Sequence, residues 1–154
     1  MREPRRPRQA SLRRAISSAY YALFHLLVYE ATHRLVAGAG RSRLRHCLGR
    51  AFVHADMKVV AQGFAAGNVS AKLAPALEGQ TLQLDLMNVA AALVDLQQAR
   101  NEADYDTARR FTREETLDLV AQAEQAFTCW QHVRNTLPSD TLLVGFLAQR
   151  QMRA

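Results

Sequence analysis

An arginine occupies a position at which the most regular apolar pattern of the chain predicts a leucine. The larger apolar residues before it recur at steps of four and three, at Leu82, Leu86, Val89, Leu93 and Leu96. This spacing keeps them on one side of a helix, and the next step of four reaches Arg100. Because an unpartnered buried charge is costly, either a carboxylate pairs with Arg100 or the stripe opens there into a cleft or an interface.

The polar residues that follow Arg100 are compatible with both alternatives. Glu102 and Asp104 can pair with the guanidinium, and pairing is the usual native solution for a buried charge. In an open cleft, the same guanidinium can hold a phosphate through two parallel hydrogen bonds, and Tyr105 can hydrogen-bond to a base or stack on it. The residue types therefore suit either a structural ion pair or the binding of a nucleotide.

The five histidines do not form a metal-binding or catalytic motif. His25 and His33 lie eight residues apart, as do His46 and His54, so each pair can share a helical face. No acidic residue stands at ligand spacing beside the second pair, and no Gly-rich phosphate loop with a following lysine is present. We predict no metal site and no cofactor.

Charge is distributed unevenly along the chain, whose formal net charge is +6. Residues 1–50 contain eleven arginines and two acids, whereas the remainder contains nine basic and twelve acidic residues. A basic first third indicates a polyanion or an acidic protein as partner; the alternative is a solvated tail that only aids solubility. Residues 1–10, which are rich in arginine, are predicted to form a flexible basic arm.

Composition and apolar spacing predict an all-α fold. Straight-chain residues and Ala dominate, and no segment alternates as a strand does. We predict that residues 11–154 form one domain, an up-and-down bundle of four to five helices, with a core over 11–135 and an extra C-terminal helix over 138–151. The apolar run 15–31 contains two serines and His25 and is a poor membrane span. We therefore predict a cytoplasmic protein that does not associate with a membrane.

Local signals predict where other helices begin and end. One helical segment is expected from about Ser42 to Ala55, and a polar link is expected over 103–110, after the helix that carries Arg100. Thr112-Arg113-Glu114-Glu115 is a capping box, which starts a further helix. Cys47 and Cys129 both fall on apolar helical patterns, so we predict buried free thiols in a reducing compartment.

Two short motifs resemble those of HEPN-domain proteins. The first helix carries Ser17-Ser18-Ala19-Tyr20-Tyr21-Ala22-Leu23-Phe24-His25, which is similar to the Ser-x-x-Tyr-Tyr-x-x-Phe-His pattern common in their opening helix. The segment Arg100-Asn101-Glu102-Ala103-Asp104-Tyr105 resembles the Arg-x-x-Ala-Asp-Tyr segment of a small bacterial and archaeal branch of the same superfamily. With the spacing between the motifs, the resemblance covers residues 11–135.

The resemblance implies a HEPN-like bundle that dimerises. In HEPN ribonucleases, an arginine and a histidine a few residues later form a metal-independent RNA-cleaving site at the dimer cleft. Many of these proteins act as toxins beside a small nucleotidyltransferase antitoxin, or in other defence systems. Arg100 matches that arginine, but Tyr105 stands where the histidine is expected, and no histidine follows before His132. Cleavage needs a proton acceptor near neutral pH, a task that suits imidazole better than phenol.

Three hypotheses follow. The first is a homodimer that binds RNA or a nucleotide and acts with a nucleotidyltransferase partner in a toxin–antitoxin or defence system. Its predicted binding residues are Arg14, Tyr21, His46, Arg100, Asn101, Asp104 and Tyr105. The second is an active endoribonuclease toxin with Arg100, Tyr105 and His25 as catalytic residues, in which His25 or His46 supplies the missing base. The third is a non-catalytic helical interaction module in which Arg100 forms a structural ion pair.

Overall fold

The computed structural model describes residues 8–152, and within them the chain forms helices and no strand. The α-helices are α1 (Gln9–Leu35), α2 (Ser42–Gly49), α3 (His54–Ala65), α4 (Leu84–Tyr105), α5 (Arg113–Val133) and α6 (Leu137–Met152), with a 3-10 turn at Ala74–Leu77. The predicted all-α class is confirmed. Residues 1–7, most of the predicted basic arm, lie outside the described residues, as do 153–154. No helix within 8–152 is both long and apolar enough to cross a membrane.

Helix α4 lies at the centre of the fold. It packs against α1, α3 and α5, while α6 packs against α3 and α1. The core between the helices is formed by large side chains that are almost completely buried, among them Tyr20, Leu27, Phe64, Leu93 and Trp130. Burying an apolar side chain of this size contributes about 1.5–3 kcal/mol. The core therefore fixes the position of α4 relative to α1 and α3.

The predicted apolar stripe of α4 faces this core. Leu86, Val89, Leu93 and Leu96 have no exposed surface, and Arg100, at the next step of the pattern, is also buried. The prediction that this arginine lies on the buried side of its helix is therefore confirmed. Because these four apolar residues pack in the core, the guanidinium of Arg100, on the same side of α4, also lies in the interior.

Helix α4 continues to Tyr105, so the predicted polar link begins later than expected. The side chain of Arg13 on α1 stabilises this longer helix. Its two terminal nitrogens donate to four main-chain carbonyls, those of Glu102 (3.2 Å), Ala103 (2.7 Å), Asp106 (3.0 Å) and Arg109. The last carbonyls of a helix lack partners within the helix, and a cation there also complements the helix dipole. Arg13 therefore fixes the end of α4 against α1, close to Arg100.

The segment predicted as one helix from Ser42 to Ala55 is divided into two. Helix α2 ends at Gly49, and α3 begins at His54. No residue of α2 is buried, because this helix lies on the surface and packs mainly against α1. The prediction that Cys47 is buried is therefore wrong, whereas Cys129 on α5 is buried as predicted.

The capping box at the start of α5 is confirmed. The Thr112 hydroxyl accepts a hydrogen bond of 3.1 Å from the backbone N–H of Glu115, and the Glu115 carboxylate accepts one of 3.2 Å from the N–H of Thr112. Glu115 also pairs with Arg109 in the preceding loop. Side-chain contacts thus order the connection that follows the Arg100 segment.

Candidate functional site

The guanidinium of Arg100 is buried and incompletely partnered. The residue is 7% exposed, and its Nε has no hydrogen-bond acceptor among the described residues. Its ion-pair contact is with Asp104, one turn further along α4, where Nη1 and Oδ2 are 3.8 Å apart. That distance permits electrostatic attraction but is longer than a hydrogen bond. Buried charges are normally both paired and hydrogen-bonded, so Arg100 retains bonding capacity for a further partner.

Two tyrosines of α1 also contact the guanidinium. Its central carbon lies 4.9 Å from the ring centre of Tyr20 and 5.5 Å from that of Tyr21. Contacts of this kind are attractive because the ring faces are electronegative, and a desolvated one contributes about 2 kcal/mol. Tyr20 is fully buried, whereas Tyr21 is 36% exposed. Tyr21 therefore lies between the buried charge and solvent.

His54, in the first turn of α3, completes the cluster. Its Nδ1 lies 2.5 Å from the hydroxyl oxygen of Tyr20, and its ring stacks on Phe24 with the ring centres 4.2 Å apart. Its main-chain carbonyl accepts a hydrogen bond of 3.1 Å from the buried Gln97, which lies one turn before Arg100. Helices α1, α3 and α4 therefore meet at these side chains.

The environment of the cluster keeps its imidazole and its buried phenol uncharged at neutral pH. Burial lowers the pKa of His54 from its ordinary 6.5, and the positive charges of Arg100 and His25 lower it further. Burial raises the pKa of Tyr20 from 10.0 to about 12, against the opposing influence of Arg100. A neutral His54 can accept a proton, and a neutral Tyr20 can hydrogen-bond to it in either direction.

Asp104 and Ser17 lie on the solvent side of Arg100. The Ser17 hydroxyl on α1 donates to Oδ1 of Asp104 at 2.5 Å, while Oδ2 faces Arg100. Asp104 follows Arg100 by four residues, about 40° around the helix, so both side chains are directed towards α1. Because Asp104 is exposed, its carboxylate has room to move away when another anion approaches Arg100.

Three other predicted site residues lie outside this cluster. Tyr105 follows Arg100 by five residues, about 140° around α4, and it is 76% exposed. This placement results from the extension of α4, because a non-helical link beginning at Ala103 would not impose that angle. Arg14 is exposed on α1, and Asn101 is half-buried on the next face of α4.

The two histidines predicted as replacement bases occupy a groove beside the cluster. His25 is exposed on α1, with its ring 5.9 Å from that of Tyr21 and 5.4 Å from that of Phe24. His46 is exposed on α2, and both histidines line the groove between α1 and α2. They are therefore brought near each other, at the edge of the Arg100 cluster.

Tyr20, His54 and Gln97 belong to the cluster but were not predicted as site residues. Tyr20 lies among the buried apolar residues of α1, and a tyrosine in such a position needs a partner for its hydroxyl. That requirement was the signal available in the sequence. It does not identify His54, which is 34 residues away, because the partner depends on how α3 packs against α1.

Neither a set of metal ligands nor a related protein identifies the chemistry of the cluster. Among residues 8–152, no group of three His, Cys, Asp or Glu side chains is arranged to hold a metal ion. Its chemistry has to be inferred from its own residues, because comparison of the chain with protein-family models, with curated proteins and with solved structures finds no match.

Proposed function

We propose that the chain is a HEPN-like helical protein that binds RNA or a nucleotide, and that Arg100 holds a phosphate of this ligand. The supporting observation is the incomplete partnering of Arg100, which is buried, has a free Nε among the described residues and lies 3.8 Å from its carboxylate. A phosphate supplies both the charge and the acceptor oxygens that are missing. A purely structural ion pair would bring a carboxylate within hydrogen-bonding distance.

The ligand would enter from the side of Asp104 and Tyr21. Its phosphate would replace Oδ2 of Asp104 at the guanidinium, while Oδ1 keeps its hydrogen bond from Ser17. A base would stack on the exposed side of Tyr21, where such a contact is worth about 1–3 kcal/mol. A phosphate position and a base position next to each other make a site of nucleotide size.

Binding of a fluorescein-labelled single-stranded RNA of about 12 nucleotides, followed by fluorescence anisotropy, tests this proposal. We expect Arg100→Ala to weaken binding by about 10- to 100-fold, because hydrogen bonds to a charged group contribute about 1.5–3 kcal/mol. Arg110→Ala removes an exposed cation and is the matched control. Equal affinities for the two variants, both shown to be folded by circular dichroism, would refute the role of Arg100.

A second function, metal-independent RNA cleavage, is favoured by the position of His54. His54 on α3 would supply the proton acceptor that the Arg100 motif on α4 lacks. With Nδ1–H donating to the Tyr20 oxygen, Nε2 of His54 takes the proton of a 2′-hydroxyl, whose oxygen attacks the adjacent phosphorus. The bond to the 5′-oxygen breaks, this oxygen takes a proton from water, and the products are a 2′,3′-cyclic phosphate and a 5′-hydroxyl end. Arg100 stabilises the charge that develops on the phosphate.

Cleavage is tested with the same RNA in the presence of a metal chelator. Loss of a general base lowers a rate by about 10²- to 10⁴-fold, so we expect such a loss in His54→Gln while its RNA affinity changes little. His132→Gln, at an exposed histidine of α5 outside the cluster and the groove, is the control. The wild-type rate should rise with pH to a plateau. The midpoint of this rise should lie below 6.5, the ordinary pKa of histidine, because the pKa of His54 is lowered. RNA left intact by the wild type would refute cleavage and leave the binding proposal standing.

The resemblance of the two motifs supports four further proposals: a HEPN-like arrangement, a homodimer, a nucleotidyltransferase partner and a toxin–antitoxin or defence setting. Light scattering tests the dimer, for which the mass should be twice the 17.2 kDa of one chain. A mass of one chain at all protein concentrations would contradict it. Co-expression with a candidate nucleotidyltransferase, followed by co-purification, tests the partner.

A further inference from the structure

A groove of about 440 Å³ lies between α1 and α2. This volume falls in the range of about 300–1,000 Å³ that is typical of small-ligand sites. Part of the lining is apolar and includes Phe24 and Val28. The rest is mainly basic or titratable and contains His25, His33, Arg45, His46 and Arg50. None of the described residues that line the groove carries a carboxylate. The groove therefore suits a ligand with an apolar portion and a negative charge.

The two arginines of the groove have different roles. Arg45 donates from Nε to the carbonyl of Val36 at 2.9 Å and from Nη2 to that of Gly38, so it holds the loop between α1 and α2. Arg50 has a single long contact among the described residues, 3.5 Å from Nη2 to Nε2 of His46. Its guanidinium is therefore available for a ligand, and it stands next to an imidazole that can contribute to the same contact.

The surrounding sequence reinforces the positive potential of the groove. Residues 31–55 contain five arginines and three histidines and no aspartate or glutamate. Arg34 is neutralised by Asp140, but Arg41 and Arg43 are exposed on or next to α2. A surface with one sign of charge over such a length attracts a polyanion.

Aromatic rings connect the groove to the Arg100 cluster. Tyr21 lies 5.5 Å from the Arg100 guanidinium, and its ring stacks against His25 at 5.9 Å with an angle of 27°. His25 in turn lines the groove. From Tyr21 to Thr32, at the far end of the groove, α1 rises by about 16 Å, which is longer than one nucleotide.

We infer that the groove between α1 and α2 is a second subsite for single-stranded RNA, which holds a base against Phe24 and His25 and a phosphate at Arg50 and His46. The inference rests on the proposed function and extends it, because one strand would run from Arg100 along Tyr21 and His25 into the groove. Aromatic rings that follow a cationic groove are the usual means of binding single strands. A peptide of aspartate and glutamate residues would use the charges but has no flat group for the rings.

Three variants test this subsite with a fluorescein-labelled oligouridylate of about 12 nucleotides. Arg50→Ala removes the available cation, and Arg43→Ala removes an equal charge from α2 outside the groove. Gly49→Met fills the groove without changing charge; a Cβ at Gly49 would lie 3.7 Å from Val28 and 3.9 Å from Thr32, so the added side chain begins without a steric clash. We expect Arg50→Ala and Gly49→Met to weaken binding by about 10-fold and Arg43→Ala by no more than about 2-fold.

Adding Arg100→Ala and a labelled diuridylate separates this inference from the proposed function. The dinucleotide is too short to span both places and can occupy either one, so Arg100→Ala and Arg50→Ala should each weaken its binding less than they weaken binding of the long RNA. If Arg50→Ala and Gly49→Met bind the long RNA as Arg43→Ala does, the groove subsite is overturned while an effect of Arg100→Ala still supports the first site. If only Arg50→Ala and Gly49→Met weaken binding, the Arg100 site is overturned and the groove remains. Competition by polyglutamate as strong as by unlabelled RNA would overturn the assignment to RNA.

Discussion

Arg100 and Arg109 lie near the same end of the molecule, yet their surroundings are opposite. Arg109 is partly exposed and pairs with two carboxylates, Glu102 at 3.2 Å and Glu115. Its charge and hydrogen bond hold the pKa of Glu115 below the ordinary value. Arg100 is buried, lies 3.8 Å from its carboxylate and has an Nε without a partner among the described residues.

The comparison separates an arginine that serves the fold from one that is available to a ligand. A structural arginine is expected to have its donors occupied, as Arg109 has. Arg100 is held by burial and by the rings of Tyr20 and Tyr21, while its Nε has no acceptor among the described residues. Keeping an underpaired charge in the interior is unfavourable for stability, and a function that uses the charge accounts for its presence.

The largest effect on stability is expected at Arg13, which holds the end of α4 in place for both arginines. Arg13→Ala leaves four carbonyl contacts unmade, three of them partly buried, and should lower the free energy of unfolding by about 2–4 kcal/mol. Urea denaturation measures this change. RNA binding should also weaken, because Arg100 lies one turn before the freed end. A loss below about 1 kcal/mol would show that α4 ends there without help from Arg13.

A smaller loss is expected at Arg109. Its ion pairs are about one third exposed, so solvent screening limits their contribution, and Arg109→Ala should lower the free energy of unfolding by about 1 kcal/mol. Affinity for the labelled RNA should stay within about 2-fold of the wild type. A large loss of affinity in a folded Arg109→Ala would break the distinction between the two arginines.

Arg100→Met should leave stability almost unchanged. Methionine keeps much of the length of the side chain and removes an underpaired charge, so loss of the contacts with Tyr20 and Tyr21 is offset, and the free energy of unfolding should change by less than about 1 kcal/mol. RNA binding should fall as far as in Arg100→Ala. Destabilisation by about 3–5 kcal/mol, the cost of breaking a well-made buried pair, would support a structural ion pair instead.

The smallest predicted effect is a pH dependence of stability that originates at His54. Its pKa in the folded protein lies below the ordinary 6.5, so between these values the unfolded chain binds the proton and the folded chain does not. The contribution of His54 to the free energy of unfolding is therefore complete above about pH 6.5 and declines as the pH falls below that value. Comparison of urea midpoints at about pH 7.5 and pH 5.5 should give a smaller difference for His54→Gln than for the wild type. Equal differences would contradict the burial of this imidazole.

The sequence was sufficient to predict what depends on spacing along one helix. The all-α class, the burial of Arg100 and the capping box at Thr112 follow from local periodicity and backbone hydrogen bonding, and the structure confirms them. The His54 contacts join residues 34 and 43 positions away in sequence and depend on the packing of α3 against α1 and α4. The exposure of Cys47 likewise depends on whether α2 enters the core, which an apolar pattern of eight residues does not determine.

The free Nε of Arg100 offers the most direct measurement, because its N–H signal can be followed by NMR in protein with labelled arginine. Absence of one signal in Arg100→Lys assigns it, and the Nε–H of Arg109, which donates to Glu102 at 3.2 Å, serves as the internal reference. When the labelled protein is titrated with single-stranded RNA, the Arg100 signal should shift as a phosphate replaces Asp104 beside the guanidinium, while the Arg109 signal stays in place. An Arg100 signal that does not change when the protein is saturated with RNA would contradict the claim that Arg100 holds the phosphate.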